Sequence, residues 1–284
     1  MIDIIRIGHV ALDVSDVGRT SAFLIQALGL TETARVAGVA YLRHGSEHHS
    51  VSLHPVAAPG ARCGLRHVGF ELTAGSLHSA ERLLRERGVA LTDAPEEAGR
   101  GPGLVLHDPA GLCLELYDAM DQVPRGAEPG PVGLRKLSHV TLKAPSPKAM
   151  ADFYTGTLGF RVSDWLGARF AWMRCNADHH AVAVTASDAP PGLHHFAFDL
   201  LDWSEIKRAC DHLHGLGVRL EAGPVRHGPG NNIAIYFRDP DGLRIELTCE
   251  MEQILHRQDR TLEWPSAGTF DLWHGASAPS TWAD

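Results

Sequence analysis

Three residues far apart in the chain are of types that hold a metal ion: His139 in LSHVTLKA (137–144), His195 in LHHFAFDL (193–200) and Glu246 in LRIEL (243–247). Each lies in an apolar run that reads as a strand. Side chains alternate along a strand, so Leu137, His139 and Thr141 share one face of theirs. His195 takes the place in its own strand that His139 takes in LSHVTLKA, and a pseudo-twofold axis relating the strands would set the two imidazoles side by side. Two imidazoles and one carboxylate from three strands cap one face of an octahedral ion and leave the other open, the arrangement of non-haem Fe(II) sites that handle oxygen. Zinc and manganese satisfy the same ligand types. Singly, each residue has a plain reading, since strand histidines are usually packed and hydrogen-bonded and DPDG is a common turn. The glutamate is harder to dismiss, because a buried carboxylate without a cation or hydrogen-bond partners is costly.

The elements that must position these residues recur. AYLRHGSEHHSVSL (40–53) aligns with AWMRCNADHHAVAV (171–184), and HDPAGLCLEL (107–116) with RDPDGLRIEL (238–247), both at an offset of 131 residues; IGHVALDV (7–14) aligns with LSHVTLKA at 130. The halves are copies. DQVPRGAEPGPVG (121–133) is the natural linker, so the expected divisions are 1–125, 131–250 and a tail, 251–284. Each half splits again. In the first, strand IGHVALDV and helix DVGRTSAFLIQALG precede short strands, and strand LRHVGFEL and helix SLHSAERLLRERG precede more. Apolar spacing (Phe23, Ala27; Ala80, Leu83, Leu84), a cap at Ser76 and stops at Gly29 and Gly88 support the helices. The expectation is an α+β protein of two tandem domains, each of two βαβββ modules forming a half-open barrel with a concave inner face.

Composition narrows the partners. A chain of 284 residues, 44% apolar and 21% charged, is globular and long enough for two domains. Its net charge of -8, without a basic run, argues against nucleic acid or an anionic membrane and for a small molecule. No apolar stretch approaches bilayer length, and residues 1–14 read as a strand rather than a leader, so a cytoplasmic location is expected. Cys63, Cys113, Cys175, Cys210 and Cys249 form an odd set without a CxxC pair and read as small buried hydrophobes.

Residues 1 to about 250 resemble the vicinal-oxygen-chelate (glyoxalase-like) superfamily, and within it the type I extradiol catechol dioxygenases. The most specific segment is VRHGPGNNIAIYFRDPDGLRIEL (225–247), which sets His227, Tyr236 and Glu246 at that family's spacing. The resemblance implies that His139, His195 and Glu246 hold Fe(II), with Mn(II) as the alternative, and that O2 is cosubstrate to a catechol. Both oxygen atoms would enter next to the diol, giving a ring-opened semialdehyde. In MRCNADHHAVAV, His180 matches the family's acid-base histidine and His179, by alternation, faces solvent; His227 and Tyr236 match the pair that hydrogen-bonds substrate and oxygen. Thr141 stands where some relatives acting on acidic catechols place an amide. A homo-oligomer is expected. The tail, with a short helix at its start and Trp264, Trp273 and Trp282, could serve as a lid.

Rival readings keep the fold. Glyoxalase-like isomerases and thiol transferases usually bring a second glutamate ligand, and drug-binding resistance proteins lack the triad. The N-terminal half carries a shadow of the site in His9, His67 and Glu115, with His49 matching His180, but Val105 stands opposite Tyr236 and Glu96 opposite His227. This half is expected to be non-catalytic, its triad vacant or hydrogen-bonded.

Overall fold

The computed structural model describes residues 2–58, 60–124, 130–255, 261–265, 269–275 and 277–283. The first half runs β1 (Ile4–Val14), α1 (Val17–Leu28), β2 (Thr31–Val36), β3 (Val39–Arg43), β4 (Val51–Pro55), β5 (Gly64–Leu72), α2 (Leu77–Glu86), β6 (Thr92–Asp93), β7 (Gly103–His107) and β8 (Cys113–Tyr117). The second repeats it as β9 (Leu134–Ala144), α3 (Pro147–Gly156), β10 (Arg161–Leu166), β11 (Phe170–Arg174), β12 (Val182–Ala186), β13 (Gly192–Leu200), α4 (Trp203–Gly215), β14 (Leu220–Arg226), β15 (Ile233–Arg238) and β16 (Arg244–Cys249). A short β17 (Leu262–Glu263) follows in the tail. The βαβββ order therefore occurs four times, in an α+β protein of two tandem domains.

Each half is one mixed sheet, ordered β2-β3-β4-β1-β5-β8-β7-β6 in the first and β14-β15-β16-β13-β9-β12-β11-β10-β17 in the second. The two modules of a half meet through their first strands, β1 against β5 and β9 against β13, both antiparallel. That pairing is the pseudo-twofold junction expected from the repeat, and it brings corresponding positions of two strands into one place. The linker was expected over 121–133; its residues 125–129 lie outside the described residues.

Local sequence explains the elements. Asp16 caps α1 by accepting from Arg19 N at 3.0 Å, and Gly29, at φ 74°, ends it in the left-handed region that suits glycine. Ser76 stands at the start of α2 but donates to Thr73 O, while the free N–H of Leu77 is taken by Asp118 at 2.9 Å, so a carboxylate from another segment does the work expected of Ser76. In DPDG, Asp239 Oδ1 accepts from Asp241 N and Leu243 N at 2.9 and 2.8 Å, fixing the turn that launches β16. The core is continuous across the halves: Phe23 of α1 packs on Phe237 of β15, and Phe70 of β5 on Phe160 and on Tyr154 of α3. Among the described residues, no helix is long and apolar enough to cross a membrane.

Candidate metal centre

The site follows from strand register. Tyr236 pairs with Glu246, Glu246 with Ala197 and Ala197 with His139 across β15, β16, β13 and β9, so one row presents all four side chains to one face. His195 enters from two residues along β13, opposite Thr141. Ala197, with only a methyl group, leaves space between the glutamate and the imidazole. His139 Nε2 lies 3.3 Å from His195 Nε2 and 3.1 Å from Glu246 Oε2, and His195 Nε2 lies 3.0 Å from the same oxygen. All three residues are buried.

Burial and neighbouring charge favour metal-ready forms of two of these groups, His195 and Glu246. Burial pushes the His195 imidazole down to about 4, against the pull of Glu246. Burial alone would raise the Glu246 carboxyl, but the two imidazoles, His139 foremost, outweigh it and hold the group well below the usual carboxylate range. The result is a neutral imidazole beside a carboxylate, which suits a divalent ion. Asn232, which the sequence reading missed, donates from Nδ2 to Glu246 Oε1 at 3.3 Å and to Thr248 Oγ1 at 2.7 Å. Its only signal in the sequence was its place between His227 and Tyr236.

The three further residues singled out in the sequence face the same cavity of about 390 Å³. The His180 ring lies 4.3 Å from that of His139, and burial first, then His139 and His179, push its imidazole well down. His179 is not on the solvent side, as alternation suggested. The residues before β12 belong to a loop, where strand alternation does not apply, and His179 is buried with Nε2 3.1 Å from Asp164 Oδ2 and Nδ1 3.0 Å from His180 Nδ1. Trp264 Nε1 donates to the same Asp164 oxygen at 2.5 Å. His227 Nδ1 donates to Phe270 O at 2.7 Å, which leaves Nε2 to accept from the Tyr236 hydroxyl, also at 2.7 Å. Burial, reinforced by Glu246, raises the Tyr236 phenol well above its ordinary value.

The tail contributes one of its three tryptophans to the cavity. Trp282, in a single 3₁₀ turn (Ser280–Ala283), packs 4.7 Å from the Tyr236 ring and 4.9 Å from Phe270, with the Arg244 guanidinium 5.0 Å over its face. Glu221 anchors this turn through Thr281 Oγ1 at 2.7 Å and through Arg244. Trp264 sits behind the site, close enough to Gly228 that an added Cβ would meet its ring at 2.8 Å. Trp273 is exposed and packs on Trp203, away from the cavity. The expected helix at the start of the tail is absent over 251–255, where Gln253 bridges to Asp178; residues 256–260 lie outside the described residues.

The N-terminal half gathers a second cluster. His9 Nε2 lies 2.9 Å from His67 Nε2, and His67 Nε2 lies 3.5 Å from Glu115 Oε2. Val105 pairs with Glu115 where Tyr236 pairs with Glu246. Glu96, expected opposite His227, is exposed, and Glu97 turns inward instead, 3.6 Å from His9 and 3.5 Å from His49. The segment between β6 and β7 is not strand, so position along it does not predict facing. Arg100 Nε stands 3.2 Å from Glu97 Oε2 and 3.3 Å from Glu115 Oε2.

A family model described as the Glyoxalase/Bleomycin resistance protein/Dioxygenase superfamily matches residues 6–116 and 136–247. Biphenyl-2,3-diol 1,2-dioxygenase of Paraburkholderia xenovorans is 27% identical over 91% of this chain and 93% of its own. A manganese-dependent 2,3-dihydroxybiphenyl 1,2-dioxygenase of Geobacillus genomosp. 3 is 25% identical over 96% and 94%. Among solved structures, homoprotocatechuate 2,3-dioxygenase of Brevibacterium fuscum with 3,4-dihydroxyphenylacetate is similar at a TM-score of 0.86 and 26% identity, over 99% of this chain and 92% of that one. A Mn(II)-bound glyoxalase of Novosphingobium aromaticivorans matches at 0.87 and 27%, over 99% and 94%.

Proposed function

The chain belongs to the Glyoxalase/Bleomycin resistance protein/Dioxygenase superfamily, and on that footing we propose that it is an Fe(II)-dependent extradiol dioxygenase that cleaves a catechol to a ring-opened semialdehyde in its C-terminal half. One observation carries the reading: His139, His195 and Glu246 converge within 3.0–3.3 Å in a cavity that also holds His180 and the His227–Tyr236 pair. The three donors match the two-imidazole, one-carboxylate set that leaves a face open for two ligands. A metal held there would supply Lewis acidity toward both catechol oxygens and a route for electrons to O2.

The chain's own residues do the rest. The Asp164 carboxylate 3.1 Å from His179 Nε2 favours a proton on that nitrogen, and in that tautomer His179 Nδ1 accepts from His180 Nδ1–H and His180 Nε2 keeps a lone pair. His180 Nε2 takes a proton from a catechol hydroxyl and later returns it, as an imidazole with a lowered pKa can. The Phe270 carbonyl holds the His227 ring beside Tyr236, and on substrate binding the Tyr236 O–H turns from His227 Nε2 to a substrate oxygen, where it stabilises growing negative charge. Phe170, Trp172, Phe270 and Trp282 wall the cavity with aromatic surface that suits a planar ring and excludes water. The ligand types admit iron and manganese alike, and a manganese-dependent dioxygenase is among the similar proteins.

The test is anaerobic loading of metal-free protein with Fe(II) or Mn(II), followed by a catechol panel scanned for a yellow product in air. No yellow product from either form with any catechol would end the reading, and turnover of a glutathione hemithioacetal instead would favour glyoxalase chemistry. Self-association in the cytoplasm belongs to the same proposal: the exposed Trp203–Trp273 pair, flanked by exposed Leu201 and Leu272, is an apolar surface that a second copy would cover. A monomer by light scattering at micromolar concentration would refute that part.

A further inference from the structure

We propose that the N-terminal cluster is a divalent-metal site held shut by Arg100, whose guanidinium supplies the positive charge an ion would bring, so that a neutral side chain at this position opens a second metal site. The donor set is complete: one ligand atom each from His9, His67, Glu97 and Glu115 lies within 4.8 Å of all the others. The strands repeat those of the C-terminal centre, with His9 on β1, His67 on β5 and Glu115 on β8, and Gly69 standing between His9 and Glu115 in the ladder as Ala197 stands between His139 and Glu246. Gly69 is needed there, since a Cβ would lie 2.2 Å from the His9 ring. Donors about 2.1 Å from an ion stand about 3.0–3.4 Å apart. His9–His67, His67–Glu115, His9–Glu97 and His9–Glu115 are separated by 2.9 to 3.9 Å, which brackets that range, and every pair lies within 4.8 Å.

What distinguishes the halves is the cation. Two buried carboxylates without positive charge are costly, and Arg100, itself buried, meets both through Nε. Its remaining nitrogens are spent on the carbonyls of Gly101 and Pro95, so it is held in place. At the 131-residue offset the C-terminal half has Asn231 instead, and the side chain that reaches Glu246 is the neutral amide of Asn232. The carboxylates are not used up: Glu97 Oε1 and Glu115 Oε2 are buried without a hydrogen-bond partner among the described residues. Arg100 neutralises the cluster but does not satisfy it. The ligand chemistry of this cluster is independent of whatever reaction the C-terminal half performs.

The experiment counts ions. Metal-free full-length chain is equilibrated with Zn(II), freed of excess by gel filtration and analysed for zinc per chain. Arg100→Gln is expected to hold one ion more than wild type, and Glu115→Ala in that background to lose the extra ion. An extra ion that Glu115→Ala removes from wild type itself, or no gain in folded Arg100→Gln, overturns the proposal. Should Arg100→Gln fail to fold, Glu97→Gln/Arg100→Gln removes charge and countercharge together and leaves His9, His67 and Glu115; no gain in that chain overturns it equally. Emptying of the C-terminal centre is followed separately in Glu246→Ala, so failure of that centre is not confused with failure here.

Discussion

Replacing Asn232 by alanine tests whether the proposed centre depends on a residue that touches no metal. Asn232 Nδ2 donates to Glu246 Oε1 at 3.3 Å and to Thr248 Oγ1 at 2.7 Å, and it is almost wholly buried. A hydrogen bond to a charged acceptor contributes about 1.5–3 kcal/mol, and one this long belongs at about the lower figure. At about 1.4 kcal/mol per decade, that loss weakens metal binding about tenfold, at the lower edge of the roughly 10–100-fold typical of groups that orient ligands. The assay is competition for the metal against a chelator of known affinity, with turnover measured at saturating metal. The expected result is weaker binding with turnover at saturation within about twofold of wild type, because the proposed reaction gives Asn232 no proton to move and no charge to stabilise. Unchanged affinity would refute the orienting role. Turnover that collapses while metal stays bound would place Asn232 in the chemistry instead.

Other outcomes follow from the same geometry. His195→Ala or Glu246→Ala should abolish metal retention and turnover together, since two donors cannot complete the three-ligand face; full metal occupancy in either variant contradicts the ligand assignment. His180→Phe should keep metal and substrate binding while slowing turnover on the order of 100-fold, and wild-type turnover would remove His180 from the mechanism. Trp282→Ala, which takes one wall from the cavity, should raise KM for an aromatic diol about tenfold, the equivalent of about 1.4 kcal/mol of ring contact; an unchanged KM would place the substrate elsewhere. As far as His195 governs it, metal retention should be flat from pH 8 to about 5. Protons displace a metal only below the ligand's own pKa, and burial sets His195 at about 4 rather than 6.5. Half-loss near pH 6.5 would show that the imidazole is not so perturbed.

Much of this was legible because the chain repeats itself. Offsets of 130 and 131 residues locate the modules, and period-two alternation places His139 on one defined face of β9. Where the backbone leaves the strand, that inference stops. His179 lies three residues before β12 and turns inward, and Glu97 replaces Glu96 because the segment between β6 and β7 has no fixed facing. Asn232 and Asp164 were invisible for a different reason. Each acts through a neighbour brought close by tertiary packing, and an isolated Asn or Asp has no periodic partner to give it away. The tail was legible only as composition: three tryptophans look alike in sequence, and the Arg244–Glu221 anchor, which sets Trp282 apart, joins residues distant in the chain.

The order of the strands along the chain has a bearing on biogenesis. His139 and His195 lie on strands that pair with each other, but Glu246 arrives on β16, which must slot between β13 and β15 before the carboxylate reaches the imidazoles. A nascent polypeptide halted before Arg244 therefore offers a bare pair of imidazoles, a poor chelator. The third donor appears only as the second sheet is completed. Closure of that sheet and completion of the donor set are one event.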